Sequence, residues 1–479
     1  MEGYDWTTQG SLWGMLEFRQ KFGDYIPELD DWQAPAAWQS AIGSGPSIGS
    51  IFGVYWGAFL NDHYGYRKSL MINYALVIPI IALMVFAQNK EMLLAGGCLI
   101  GVPFGAFACL GEAYASEICP MKLRGYMTGY VMICWMLGGF IGTSVTTGTE
   151  SIASDWSWRI PYICQWIWPV PLFVLSYFAP ESPWWLVKNG RLEEAEATVK
   201  RLGGSAMRDR AAQTVANMVH TCQVEKDLAN NEGQGRWREI FQSSNLRRTE
   251  ITTFVQTLQN FSGAMLAGQG AYVLQQAGID QGTAYDLGWG ASAVQLGSNF
   301  LCFYLLYKFG RRPIYTFGFV YSAVIMLLVG VTAVLVENGH TGARWAQAAM
   351  IMAFQVGYTG FLGPTCYAII GETSSVRLRN KTIAFARMVY AIQGIVFGIL
   401  NGYMINPTAF DWKGKTGFFW APCAALAAVW CYYRLPETKD RTYYELDILF
   451  EQRISARKFS STYVDANANV ALEMEQQSH

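Results

Sequence analysis

Two carboxylates three residues apart, Glu2 and Asp5, sit at the start of a largely apolar stretch. On a helix an i, i+3 pair shares a face. An ionised carboxylate at membrane depth is costly, so a pair placed there can load and release a proton as its surroundings alternate. A second group of charged residues recurs in fixed places: Asp62 and Arg67, Glu117 and Arg124, Arg312, Glu372 and Arg379. Acids and bases at helix ends can pair across neighbouring helices when that side closes and hydrate when it opens. Partly exposed ion pairs are worth ~0–1 kcal/mol each, enough together to bias a two-state equilibrium without locking it. A third group is the adjacent amides Gln259 and Asn260 inside an apolar run, which need partners in hydrocarbon and so favour a lined cavity. Other chemistry is missing. His63, His220, His340 and His479 are scattered, and no CxxC, HExxH or Walker pattern occurs. With no nucleophile–base or metal cluster in view, neither an enzyme nor a bound metal or cofactor is expected.

The elements that must position these groups are written in the composition. Of 479 residues, 52% are hydrophobic and only 15% charged, where a soluble protein carries about 25% charged residues. A net charge of −1 excludes a nucleic-acid footprint. The ten cysteines fall mostly inside apolar stretches, as small buried hydrophobes rather than a disulfide framework. Apolar blocks near 20 residues match a hydrocarbon core of about 30 Å at about 1.5 Å per helical residue. They predict an all-α protein of the lipid bilayer with spans ending near Phe18, then at 36–60, 69–87, 92–113, 126–147, 159–178, 251–274, 286–307, 314–336, 345–370, 383–405 and 417–433. That makes six on either side of a polar segment, 181–248, whose residues from Arg191 to Leu202 have the charged periodicity of a surface helix.

Charge sets the orientation. Most of the 35 Lys and Arg residues follow even-numbered spans or lie in the C-terminal tail. Only Arg19, Lys21, Lys90, Arg159, Arg344, Lys413 and Lys415 lie on the opposite side, with Arg387 inside a span. The positive-inside rule therefore places both termini in the cytoplasm, which is the parity twelve spans require.

The two halves share punctuation. Asp62-His63-Tyr64-Gly65-Tyr66-Arg67 follows the second span, and Lys308-Phe309-Gly310-Arg311-Arg312 the eighth. Glu117 with Arg124 follows the fourth, and Glu372 with Arg379 the tenth. Pro180-Glu181 follows the sixth, and Pro436-Glu437 the twelfth. A parallel duplication of a six-span unit accounts for all three pairs. The expected organisation is an N-terminal six-helix bundle over 1–180, a cytoplasmic linker with surface helices over 181–248, a C-terminal six-helix bundle over 249–434 and a cytoplasmic tail over 435–479.

Glu117-Ile118-Cys119-Pro120 with Arg124-Gly125, Pro180-Glu181-Ser182-Pro183-Trp184-Trp185, Gly310-Arg311-Arg312-Pro313 and Pro436-Glu437-Thr438-Lys439-Asp440-Arg441 resemble the signature set of major facilitator superfamily sugar porters. Met1-Glu2-Gly3-Tyr4-Asp5, Arg124-Gly125-Tyr126 and Cys134-Trp135 further resemble the fungal α-glucoside, maltose-type, proton symporters. The resemblance implies a major facilitator fold in the plasma membrane that imports a sugar with protons. It implies that Glu2 and Asp5 couple proton entry to sugar entry, with Arg387 as their charge partner. Gln259-Asn260-Phe261-Ser262-Gly263 resembles the family's sugar-contacting run, suited because an amide both donates and accepts toward vicinal hydroxyls. Gly363-Pro364 with Tyr367 resembles the run that offers a ring to the pyranose, and Tyr390 and Gln393 are looser candidates.

This sequence also departs from the pattern. Ser50 stands where α-glucoside members commonly carry Glu, Met132 where sugar porters place an amide, and Met265 where an Asn follows the Ser-Gly run. His63 and Tyr66 replace the usual arginines, the leading Gly of that motif is displaced to Gly57, and the first helix is expected to be truncated. The sugar stays open between an α-glucoside such as maltose and a hexose. A non-transporting sensor and a proton-independent facilitator on the same fold remain alternatives.

Overall fold

The structure, a computed structural model, describes residues 1–27, 31–118, 121–207, 210–232, 237–374, 378–439, 441, 443–460 and 462. It is all-α apart from one antiparallel hairpin, Asp24–Ile26 with Asp31–Gln33. An apolar helical tract covers each predicted span. The divisions between tracts differ from the expectation in instructive ways. The first tract is Glu2–Leu12, a short turn, then Leu16–Phe22. The second and third form one run, Ala36–Val85, in which Gly65 alone leaves helical geometry at φ +82°. The tenth is Gly342–Gly357, a wider π turn over Tyr358–Leu362, then Gly363–Thr373. Pro364 has no N–H to donate, so the ladder reorganises ahead of it instead of continuing. Among the described residues, Ala36–Val85, with its break at Gly65, Lys90–Ala115, Arg311–Glu337 and Lys381–Ile405 are the helices long and apolar enough to cross a bilayer.

The chain forms two compact units that do not follow sequence order. Unit 1 is Met1–Gln234, Gly268–Ala293 and Ala391–Gly414; unit 2 is Gly235–Ala267, Val294–Tyr390 and Lys415–His479. In unit 1, glycines four apart bring Ala36–Val85 and Lys90–Ile118 backbone to backbone. A Cβ at Gly49 or Gly53 would strike the carbonyls of Cys98 or Val102, and one at Gly57 would meet Ala106 at 2.8 Å. Small residues at this spacing give close helix packing where lipid supplies no hydrophobic drive. The linker adds Pro183–Lys188, Leu192–Met207 and Ala211–Glu232, which share a small core of Leu186, Ala195, Val199, Ala211 and Val215. In unit 2, Arg311–Glu337 packs on Gly417–Arg434 and Gly342–Gly357. A tail helix, Tyr443–Glu451, inserts Leu446, Leu449 and Phe450 into the same core as Ile251, Val255 and Tyr315. The polar character of the tail did not announce that helix.

Candidate functional site

Glu2–Leu12 is a helix, and it divides the two carboxylates by environment. Glu2 is exposed, whereas Asp5 is 3% exposed. Gln165, in the turn Gln165–Ile167 that bends the sixth tract, donates to Asp5 Oδ1 at 2.6 Å. Gln9 donates to Asp5 Oδ2 at 3.3 Å. Asp5 forms no ion pair with a Lys or Arg side chain among the described residues, so its support is these amides and the field of the Met1 ammonium. Beside it, Thr8 Oγ1 and Gln165 Oε1 are buried without a hydrogen-bond partner among the described residues. Buried polar atoms left unsatisfied are rare and costly. Tyr4 fixes the same helix by donating to the carbonyl of Pro161 at 2.7 Å.

Unit 2 gathers the amides and rings. Ser243–Phe261 stops just before Gly263, whose φ of +96° only glycine adopts readily and whose Cβ would hit Met326 at 2.8 Å. This break places Gln259 and Asn260 in the last helical turn, both almost fully buried. Tyr358, in the π turn, donates to Gln259 Oε1 at 3.0 Å, and Gln259 Nε2 points to Cys366 Sγ at 2.9 Å. The phenols of Tyr367 and Tyr390 lie within electrostatic range of the Tyr358 hydroxyl, and Arg387 within range of Cys366. Unit 2 thus draws Gln259, Tyr367, Tyr390 and Arg387 into one neighbourhood. Tyr367, Arg387 and Tyr390 are half-buried. Gln393 is half-buried too, one turn beyond Tyr390 on Arg379–Ile405, in unit 1. Gln295 donates to Gln355 Oε1, and Gln355 passes a bond to the carbonyl of Ala267 at 3.1 Å, extending the amide network.

The duplicated charge motifs adopt one geometry twice. After Gly65, the amides of Tyr66 and Arg67 donate to Glu181 at 2.9 and 3.2 Å. After Gly310, at φ +87°, those of Arg311 and Arg312 donate to Glu437 at 3.1 and 3.2 Å. A Cβ at Gly65 would meet Glu181 at 2.6 Å and one at Gly310 would meet Glu437 at 2.7 Å, so both the backbone and the space demand glycine. A second acid closes each motif. Glu117 accepts from Tyr66 Oη at 2.8 Å and from Ser182 Oγ. Glu372 accepts from Thr438 Oγ1 at 2.5 Å and from the Arg311 guanidinium at 2.7 Å. Burial raises the proton affinity of Glu181, and the amides of Ser182, Arg67 and Tyr66 offset part of that. Arg67 and Arg312 take part through their backbones. Their guanidiniums turn aside, Arg67 over the Tyr177 ring at 5.1 Å and Arg312 onto the carbonyl of Tyr432 at 2.8 Å. Asp62 is exposed, and the side chains of Arg124 and Arg379 lie outside those described.

Unit 1 also holds a polar seam that joins sequence-distant segments. Asn406 donates to Gln39 Oε1 at 2.6 Å and to the carbonyl of Ala34 at 2.9 Å. Trp289 donates to Ser144 Oγ at 2.9 Å, Gln281 to Glu150 Oε2 at 2.9 Å, and Tyr285 to the carbonyl of Ser11. A Cβ on Gly10 would meet the carbonyl of Gly268 at 2.7 Å. These bonds tie 268–293 and 391–414 to the first, second and fifth tracts.

Several residues in these sites escape a reading by motif. Gln165 and Tyr358 are polar groups in apolar runs, a signal present but not specific. The ion pair to Glu372 uses Arg311, the neighbour of the expected Arg312. Tyr66 stands in the place of Arg311 in the other half, so a phenol replaces a guanidinium there.

The sugar (and other) transporter family matches residues 1–450. An alpha-glucosides permease of Saccharomyces cerevisiae is 32% identical over 471 residues, covering 97% of this chain and 77% of that one. A maltose permease of the same organism is 31% identical, covering 97% and 76%. The xylose transporter XylE from E. coli, in a partially occluded inward open conformation, matches with a TM-score of 0.71 at 18% identity, covering 91% of this chain and 98% of that one. The likeness to XylE speaks for the fold, an all-α major facilitator fold.

Proposed function

The chain belongs to the sugar transporter family of the major facilitator superfamily, and from that premise we propose that it imports a sugar with protons by alternating access. Its relatives are permeases, so it is an integral membrane transporter and not an enzyme. The proposed cargo is an α-glucoside such as maltose, as the names of the yeast relatives suggest, or a hexose. The proposed setting is the plasma membrane with both termini cytoplasmic, because the positive charge concentrates on that side.

Asp5 carries the proposal. It is a carboxylate, 3% exposed, held by two amides and by no Lys or Arg ion pair among the described residues, with the Met1 ammonium acting on it only through its field. In a low-dielectric site an unpaired carboxylate is stable only while protonated or hydrated. Loading a proton from the outer side and releasing it to the inner side is the change that a coupling group must make. Exposed Glu2 serves in this reading as the relay to water, and Arg387 as the charge that biases release. Gln259 and Asn260 receive the sugar hydroxyls, with Tyr367 and Tyr390 offering ring faces and Gln393 a further amide. Gln259 already has partners in Tyr358 and Cys366, so binding exchanges those bonds instead of filling orphaned ones. Alternating access would reorient the two bundles, 1–180 and 249–434, with the linker 181–248 and the tail 435–479 on the cytoplasmic side. In that orientation the polar seam of unit 1 lies toward the outside, and the motifs around Glu181 and Glu437 act as cytoplasmic latches together with Asp62, Arg124 and Arg379.

Uptake of labelled maltose, sucrose and glucose into transporter-deficient cells, with external pH recorded, tests the reading. Sugar-dependent alkalinisation of the medium is expected for at least one of the three. Uptake with no proton movement would leave a facilitator, and no uptake of any of them would refute the cargo class.

A further inference from the structure

Where Gly417–Arg434 ends and Ser243–Phe261 begins, unit 2 holds a pocket of about 400 Å³ lined by Arg247, Tyr433, Arg434, Phe450, Arg453 and Ser455. Pockets of this size hold small ligands or headgroups. Three guanidiniums share the wall. Arg247 is fixed, donating to the carbonyl of Ile454 at 2.6 Å and lying 5.5 Å from the ring centres of Phe450 and Phe459. Burial, and then the Arg434 charge beside it, lower the proton affinity of Arg247 below that of an ordinary arginine. Arg434 is bound by Glu250, with Nε to Oε1 at 3.0 Å. Arg453, just past the tail helix in a left-handed backbone at φ +53°, is exposed and forms no ion pair among the described residues. A fourth guanidinium, Arg457, stacks 4.5 Å from the ring centres of Tyr432 and Tyr433. Positive charge therefore exceeds negative charge around the cavity.

The approach to the pocket is apolar. Leu426, Val429 and Tyr433 are more than half exposed and lie at i, i+3 and i+7 on Gly417–Arg434, one face of the helix leading to the cavity mouth. Tyr432 and Tyr433 occupy the helix end, where amphipathic rings mark the boundary between membrane and water. We propose that this pocket binds the phosphate-bearing headgroup of an anionic phospholipid, whose acyl chains run along the stripe of Leu426, Val429 and Tyr433. Guanidinium forks match phosphate oxygens. The inference rests on the proposed orientation, which turns the tail and this pocket toward the anionic cytoplasmic leaflet. A soluble phosphate would engage the same guanidiniums but would gain nothing from the stripe, which is the reason for assigning a lipid.

The test uses the full chain in phosphatidylcholine nanodiscs, titrated with fluorescent phosphatidylinositol 4-phosphate, and separately with inorganic phosphate and soluble inositol phosphate. Saturable lipid binding is expected, weakened about tenfold by Arg453→Gln through loss of one charge-assisted contact. Arg453→Lys restores part of it, and Leu426→Gln weakens lipid binding while leaving the weaker phosphate binding unchanged. Melting temperatures report that each variant is folded. Lipid binding indifferent to both Arg453→Gln and Leu426→Gln overturns the site. Inorganic phosphate or inositol phosphate binding as tightly as the lipid overturns the lipid assignment. Binding is read without transport, so its failure is separate from failure of the sugar–proton reading.

Discussion

Replacing Gly310 by alanine probes the latch geometry most sharply. At φ +87° and ψ 179° the residue occupies a region open essentially to glycine alone, and an alanine held there is strained by ~1–3 kcal/mol. Its Cβ would also stand 2.7 Å from Glu437 Oε2, so the carboxylate must retreat from the amides of Arg311 and Arg312 at 3.1 and 3.2 Å. Hydrogen bonds to a charged group are worth ~1.5–3 kcal/mol each, and water recovers part of that at this half-buried site. A total of ~3–5 kcal/mol is expected for Gly310→Ala. Glu437→Gln, which keeps one carbonyl oxygen facing the amides, is expected to cost ~2–3 kcal/mol. The contact part is common to both variants, whereas the strain part belongs to Gly310 alone. Heating purified protein in detergent should therefore show a lower melting temperature for each single variant, and a double variant little worse than Gly310→Ala. Additive losses, or a Gly310→Ala protein that melts like the wild type, would refute the reasoning.

Tyr66→Phe removes one bond to Glu117 and Arg311→Gln removes an ion pair to Glu372. Tyr66 is buried and bonds to a carboxylate, so its loss should cost ~1.5–3 kcal/mol, whereas the partly exposed Arg311 pair should cost ~1 kcal/mol, both measurable as melting shifts and not as loss of fold. Tyr358→Phe strips Gln259 Oε1 of its donor. The sugar KM should change several-fold while the amount of protein in the membrane stays constant, and an unchanged KM would remove Gln259 from the binding site. Asn406→Ala breaks the bonds to Gln39 and Ala34 in the unit 1 seam. A cysteine at Ser40 should then react faster with a membrane-impermeant maleimide added outside than it does with Asn406 intact, and equal rates would show that this seam is not an outer closure.

Much of this architecture was legible because hydrophobicity and charge are printed residue by residue. Apolar blocks located the tracts, and the paired motifs at Gly65 and Gly310 exposed the duplication before any geometry was known. What escaped has a physical reason in each case. Glu181 and Glu437 bind backbone amides, and an amide leaves no mark on residue type. Of the adjacent Arg311 and Arg312, the one that reaches Glu372 is decided by the helix direction set after Gly310. Glu2 and Asp5 share sequence spacing, yet only Asp5 meets Gln165, 160 residues away. Nothing local distinguishes Gln165 from any other amide in an apolar run. The tail helix was hidden because Leu446, Leu449 and Phe450 are too few to form a span and are explained only by the core that receives them.

The central claim is that Asp5 links proton entry to sugar entry. The most direct measurement compares wild type with Asp5→Asn in sealed vesicles under an imposed proton gradient, reading both net sugar accumulation and sugar exchange at equal concentrations. Wild type should accumulate sugar above equilibrium, with protons entering alongside. Asp5→Asn should lose accumulation and sugar-evoked proton entry while still exchanging sugar. Gradient-driven accumulation that survives in Asp5→Asn would contradict the account.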